Sequence, residues 1–215
     1  SYRFRKKCLE LIETHPDYIK QYPAQYFAAL NNHFIGCCRM RKYKESGEAL
    51  QKIKSLPGRY ALSAGDALSV QVFVSACNLE LFLYGKTGET RKILDFLPEA
   101  EEGLRLYENH ISPAEKVVLY YNISIMLFTI GEYQKTMLWS GKILNMKDFG
   151  FYKHIYYHAR ILNIFTHYEL GDMELVEVQK DLAGSFVSIT IARVVPSFAD
   201  VLAVRRRGRE LRAHI

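Results

Sequence analysis

The sequence predicts an all-α protein built as a solenoid of about four stacked helical hairpins. Three observations carry this expectation. Apolar residues recur at i, i+3, i+4 and i+7 through most of residues 26–182. Breaks interrupt that pattern regularly: Tyr43, Thr90, Tyr133 and Met173 each fall just after one, at intervals of 47, 43 and 40 residues. Each segment pair so delimited is too small for a core of its own, so neighbours must stack to bury what one pair leaves exposed.

The elements follow in order. Tyr2 to Thr14, with Phe4, Cys8, Leu11 and Ile12, reads as the second half of a hairpin. Tyr26, Leu30 and Phe34 open a helix that yields near Arg41-Lys42. Its partner carries Tyr43, Leu50 and Ile53 and is expected to end at Leu56-Pro57-Gly58. Ala67 to Tyr84 is an apolar helix broken around Gly85 and Gly88. Ile93, Leu97, Ala100, Leu104 and Tyr107 share a stripe, with Pro98 predicting a kink or restart. Ser112-Pro113-Ala114-Glu115 is a capping box with proline at the first helical position. The helix it opens is apolar on most sides through Tyr120, Ile123, Leu127 and Ile130, and Gly131 stops it. Tyr133, Met137 and Leu144 are expected on one face of the next helix. His154 to Leu170 and, past Gly171-Asp172, Met173 to Leu182 complete the series.

Residues 1–184 thus form the expected helical-repeat domain. Residues 185–215 form an atypical tail, β-branched from Ser185 to Val195 and basic from Arg205. That tail also accounts for the charge. The formal net charge is +6, and Arg205, Arg206, Arg207, Arg209 and Arg212 against Glu210 supply most of it. The body is near neutral, so no nucleic-acid groove is expected. At 49% apolar residues the chain can bury a sizeable core. The run Val117 to Ile130 is too short to cross a bilayer. The four cysteines show no C-x-x-C pair and read as reduced thiols in a cytoplasmic protein. The chain opens on Ser1 without a basic-then-apolar leader, so no secretory signal is expected.

The best unit is Tyr120-Tyr121-Asn122-Ile123, then Gly131-Glu132-Tyr133, then Ile143-Leu144, with Thr136 as a small residue early in the second helix. The next carries Asn163, Tyr168, Gly171 and Asp172. These residues resemble the tetratricopeptide repeat, whose pattern runs aromatic, Asn-Leu, then Gly-Asp-Tyr at the turn. The other units match weakly, and every interval exceeds that family's period of about 34. HEAT-like hairpin solenoids are the structural alternative. The resemblance implies a right-handed superhelix whose first helices line a concave surface. It also implies that asparagines there hold a bound peptide.

Asn32, Asn78, Asn122 and Asn163 each fall inside a first helix at similar distances from its end. Asparagine is a mediocre helix former, so four such placements ask for a reason. An amide can serve both donors and acceptors of an extended peptide, or satisfy polar groups between helices. Tyr121, Phe128, Tyr157, Phe165 and Tyr168 crowd the last two first helices. Most are expected in the core, and any left open, Tyr121, Phe128 and Phe165 foremost, would anchor a partner.

Enzymatic motifs fail their context tests. Gly85-Lys86-Thr87 lacks the leading glycine of a phosphate loop, Glu80 standing in its place, and follows a helix. His154 and His158 share a helix face and could hold a metal with His167 or Glu169, but no H-E-x-x-H exists and surface histidines are the plainer reading. The expectation is therefore a non-enzymatic module without metal or cofactor that binds a protein or peptide. The alternative is the regulatory or sensory part of a larger protein, such as a transcription regulator.

Overall fold

The computed structural model describes residues 1–63, 65–146, 152–172 and 174. Among these, all regular structure is helical. The chain divides into two compact units, Ser1–Ser112 and Pro113 onward. Apart from Glu174, the expected helix from Met173 to Leu182 and the tail 185–215 lie outside the described residues.

The first unit holds α1 (Tyr2–Glu13), α2 (Pro16–Gln21), α3 (Pro23–Arg39), α4 (Tyr43–Arg59), α5 (Ala67–Thr87) and α6 (Ile93–Leu106), with a 3-10 turn Thr90–Lys92 before α6. Helix α3 packs on α4, α4 on α5 and α5 on α6, and α3 also meets α5. Tyr26, Leu30 and Phe34, spaced i, i+4, i+8 on α3, meet Leu50, Ile53 and Leu56 of α4 and Val72, Ala76 and Leu83 of α5 in one core. Leu30, Phe34 and Ile53 are fully buried, each contributing about 1.5–3 kcal/mol of burial. Lys54 of α4 reaches Glu80 of α5 at 3.0 Å and Glu99 of α6 at 2.8 Å, joining three helices with one partly shielded ammonium.

The second unit holds α7 (Pro113–Ile130), α8 (Tyr133–Leu144) and α9 (Lys153–Leu170). Its packing has the same grammar: α7 on α8, α8 on α9, and α7 also on α9. Ile123 and Leu127 of α7 and Leu162 of α9 are fully buried.

One turn recurs. In the stretch between α3 and α4, Arg41 takes φ 57°, and after α7 and α9 Gly131 and Gly171 take 84° and 85°. Each time, the next residue's amide bonds the carbonyl five positions back: Lys42 to Cys37 at 2.9 Å, Glu132 to Leu127 at 3.0 Å and Asp172 to His167 at 3.0 Å. The left-handed residue's own amide bonds three back, to Cys38, Phe128 and Tyr168. This paired closure satisfies the helix's last carbonyls and needs one residue at positive φ. Gly88, at φ 79°, caps α5. The left-handed residues that end the first helices, Arg41, Gly88, Gly131 and Gly171, stand 47, 43 and 40 residues apart, matching the breaks expected from the sequence, while Ala61 after α4 is left-handed as well.

Arginine is the costly member of this set, because a Cβ opposes the left-handed region. Arg41→Gly is expected to raise stability by about 0.5–1 kcal/mol, read as a higher urea midpoint at unchanged slope. A lower midpoint would show that the Arg41 side chain makes contacts worth more than the strain.

Several boundaries differ from expectation. Proline 98 does not break α6, which runs from Ile93 to Leu106 with the ring at the surface. Helix α4 likewise continues past Pro57 to Arg59, and Gly85 lies within α5. Helix α2 was not anticipated: it is six residues long, too short for a periodic stripe. On α1, Leu9 is the buried residue while Phe4 and Leu11 are exposed. On α8 the buried face is Thr136, Trp139, Ser140 and Ile143, one position off the expected Tyr133, Met137 and Leu144. Helix α5 is long and apolar enough to cross a membrane by length and composition, yet Val70, Val72, Val74, Cys77 and Leu81 are buried within the fold.

Candidate functional site

The seven residues expected on a ligand-facing wall fall into different environments. Counted back from the left-handed cap of each helix, Asn32 and Asn122 stand nine residues before it, Asn78 ten and Asn163 eight. One residue along a helix is a rotation of about 100°, so these are three faces rather than one. Asn32 is exposed and Asn122 half-buried. Asn78 is half-buried and its Nδ2 donates to the Val74 carbonyl of its own helix at 2.9 Å. Asn163 is buried, 4% exposed, and its Oδ1 has no hydrogen-bond partner. Its helical equivalents, His33 and Ile123, are buried too.

The aromatic candidates are mostly core. Phe128 is 2% exposed and forms a cluster with Ile161 and Leu162. Phe165 is half-buried and packs against that same cluster. Tyr121 is half-buried, lies 5.9 Å from the His158 ring, and packs near Val117, Ile155 and Ala159. Burial pushes the Tyr121 phenol up to about 12. These three rings stabilise the α7–α9 packing, and Phe128 presents nothing to solvent.

In the first unit an exposed face does form, from the expected Asn78 and from Asn31, one position before the expected Asn32. Asn31 of α3 and Ser75 of α5 bond reciprocally, Nδ2 donating to Oγ at 3.0 Å and Oγ donating to Oδ1 at 3.2 Å. This pair fixes the two first helices side by side. Ile35 lies one turn beyond Asn31 on the same face of α3, and Asn78 and Phe82 continue the Ser75 face of α5. Ile35 and Phe82 are 39% and 47% exposed, large for apolar side chains. The Lys86 ammonium sits 5.4 Å over the Phe82 ring, a cation–π contact that leaves positive charge at this edge. Asn32 lies one position away, beside α1, where its carbonyl accepts from Arg5 at 3.4 Å. The wall thus offers amides, two apolar anchors and a cation. The signal that locates it is register counted from the cap, which is hidden at Arg41 because the residue there is not glycine.

Among the described residues, His33, Cys37 and Glu45 bring three potential metal-ligand atoms within 4.8 Å of one another. His33 Nε2 lies 3.3 Å from Cys37 Sγ. Burial holds the His33 imidazole below its usual range and pushes the Cys37 thiol up to about 11. Glu45 is already engaged: Lys42 donates at 2.8 Å, the Tyr2 hydroxyl donates at 2.5 Å, and Lys6 stands 3.8 Å away. Hydrogen bonds from Lys42 and Tyr2 hold its carboxyl down at about 2. A dication here would compete with the Lys42 and Lys6 ammonium groups that already surround Glu45. The same residues clamp α1 and α4 across α3, with the Tyr2 ring stacked on His33 at 6.0 Å. In the second unit, His154 and His158 lie 6.2 Å apart ring to ring, but their expected co-ligands turn elsewhere. His167 faces Asp172 at 3.3 Å and Glu169 accepts from the Tyr133 hydroxyl at 3.1 Å.

No family model, no curated protein and no solved structure matches this chain.

Proposed function

We propose that the chain is a tetratricopeptide-like hairpin array, a non-enzymatic cytoplasmic interaction module that holds an extended protein segment against its first helices. The observation that carries this reading is the α3–α5 wall, where Asn31 and Ser75 align two helices beneath the exposed Ile35 and Phe82. Alternating amides and apolar anchors suit a peptide whose backbone needs partners and whose side chains need pockets. The Lys86 charge favours an acidic segment. The three repeated turns and the helix-on-next-helix packing within each unit support the solenoid reading.

The test is selection from a displayed peptide library against the intact chain, followed by titration of enriched peptides. Peptides enriched in acidic and apolar residues are expected, and Ile35→Ala with Phe82→Ala should weaken them at least tenfold, about 1.4 kcal/mol. Both side chains are exposed, so the urea midpoint should stay near that of the parent. Peptides that bind the double variant as well as the parent would remove this wall from the reading.

A further inference from the structure

A second concavity in the first unit has a different chemistry. It is a cleft of about 730 Å³ where the end of α1, α2, the start of α3 and the end of α4 converge. That size suits a small molecule. Its floor is apolar, from Ile19 and Tyr26, 6% and 3% exposed, and Tyr60 supplies a half-buried aromatic wall.

Charge distinguishes this cleft. Lys20 of α2, Lys52 of α4 and Arg59 of α4 all line it, against Glu13 as the one carboxylate of the lining. Glu13 is committed, since Lys52 reaches it at 2.5 Å and the Tyr26 hydroxyl donates to it at 2.8 Å. Lys20 and Arg59 are exposed, come from different walls, and have no ion-pair partner among the described residues. The cleft therefore carries two uncompensated cations above an apolar floor, and low-dielectric walls strengthen their field.

The lining is also held in shape before any ligand arrives. Prolines 16 and 23 begin α2 and α3. The far wall turns at Ala61, whose φ of 51° is left-handed, and Leu62 closes that turn by donating to the Pro57 carbonyl at 2.9 Å. A preformed site loses less ordering entropy on binding.

We propose that this cleft binds a small organic oxyanion with a flat apolar body, its carboxylate or phosphate held between Lys20 and Arg59 and its body lying over Tyr26 and Ile19 beside Tyr60. Glu13 limits the site to modest affinity and sets a sign that can be tested.

The test is calorimetric titration of the intact chain with phenyl phosphate, 3-phenylpropionate, inorganic phosphate and the uncharged 3-phenylpropanol. At least one aromatic anion is expected to bind with a Kd of about 1 mM or tighter. The alcohol and inorganic phosphate should each bind at least tenfold more weakly, since each lacks one of the two contacts. The tighter aromatic anion identifies the head group. Lys20→Gln with Arg59→Gln should weaken that anion at least tenfold. Glu13→Gln, which keeps an acceptor for Tyr26 and Lys52 but removes the negative charge, should tighten it several-fold. Absence of binding by both aromatic anions, an alcohol that binds equally well, or variants that leave affinity unmoved would each overturn the proposal. The titration shares no residue with the α3–α5 wall, so its result leaves the peptide reading to its own test.

Discussion

Phe128→Ala lowers the unfolding free energy by about 3–5 kcal/mol, the expected cost of emptying a buried aromatic site. The ring is 2% exposed and packs with Ile161 and Leu162, while Ile125, Phe165 and Tyr133 close over it. Its centroid lies 5.6 Å from that of Tyr133, tilted at 59°. Tyr133 is in turn held by its hydroxyl bond to Glu169 of α9. Removing Phe128 therefore loosens α7, α8 and α9 together, and little nearby can collapse into the space. A typical domain has about 5–15 kcal/mol in hand, so the change removes a large share of it. Urea denaturation reads the effect as a lowered midpoint. An unmoved midpoint would place the ring at the surface, where it could serve as an anchor for a partner.

Gly103 gives the second large effect. A Cβ built there would fall 2.0 Å from Cε2 and 2.4 Å from Cζ of Phe73, inside the edge of its ring. The close approach lets α6 meet α5 where Phe73 tilts against Tyr107 at 5.2 Å and Val70, Val74 and Ile111 surround them. In an open helix, replacing glycine by alanine gains about 1 kcal/mol of propensity. Here the ring must move from its cluster, and overpacking costs about 1–3 kcal/mol. Gly103→Val, which adds bulk without alanine's propensity, is expected to lose at least about 2 kcal/mol, seen as a depressed thermal midpoint. The mechanism has its own control: Gly103→Ala should destabilise the parent but stabilise a Phe73→Ala background. Loss of stability in both backgrounds would mean that the crowding comes from elsewhere.

Much of the architecture was legible because it rests on short-range physics. Tyr26, Leu30 and Phe34 announce a buried stripe, and Gly131 and Gly171 announce left-handed caps. Arg41 occupies the same cap without the glycine that would reveal it. Pro57 and Pro98 misled for the opposite reason, since one lost backbone bond near a helix end or at its surface is outweighed by the packing of Ile53, Leu56, Leu97 and Ala100. Helix α2 escaped notice because six residues hold less than two turns of pattern.

The candidate wall was harder to read. Residue type alone drew attention to four asparagines, but which way an amide points depends on its phase around the helix. A shift of one position separates exposed Asn32 from Asn31, which bonds Ser75. Asn163, one position the other way, is shut inside. The basic cleft was invisible in the sequence because Glu13, Lys20, Lys52 and Arg59 come from three helices that only the tertiary fold brings together.

The repeated hairpin turn bears on how the chain reaches this fold. Because the described helices pack, within each unit, chiefly on the next helix or the one beyond, the contacts join stretches near each other along the chain. Such low contact order places an α-protein at the fast end of folding rates, since little loop-closure entropy is spent before native contacts reward it. Any hairpin closed by one of these caps can then nucleate its neighbour.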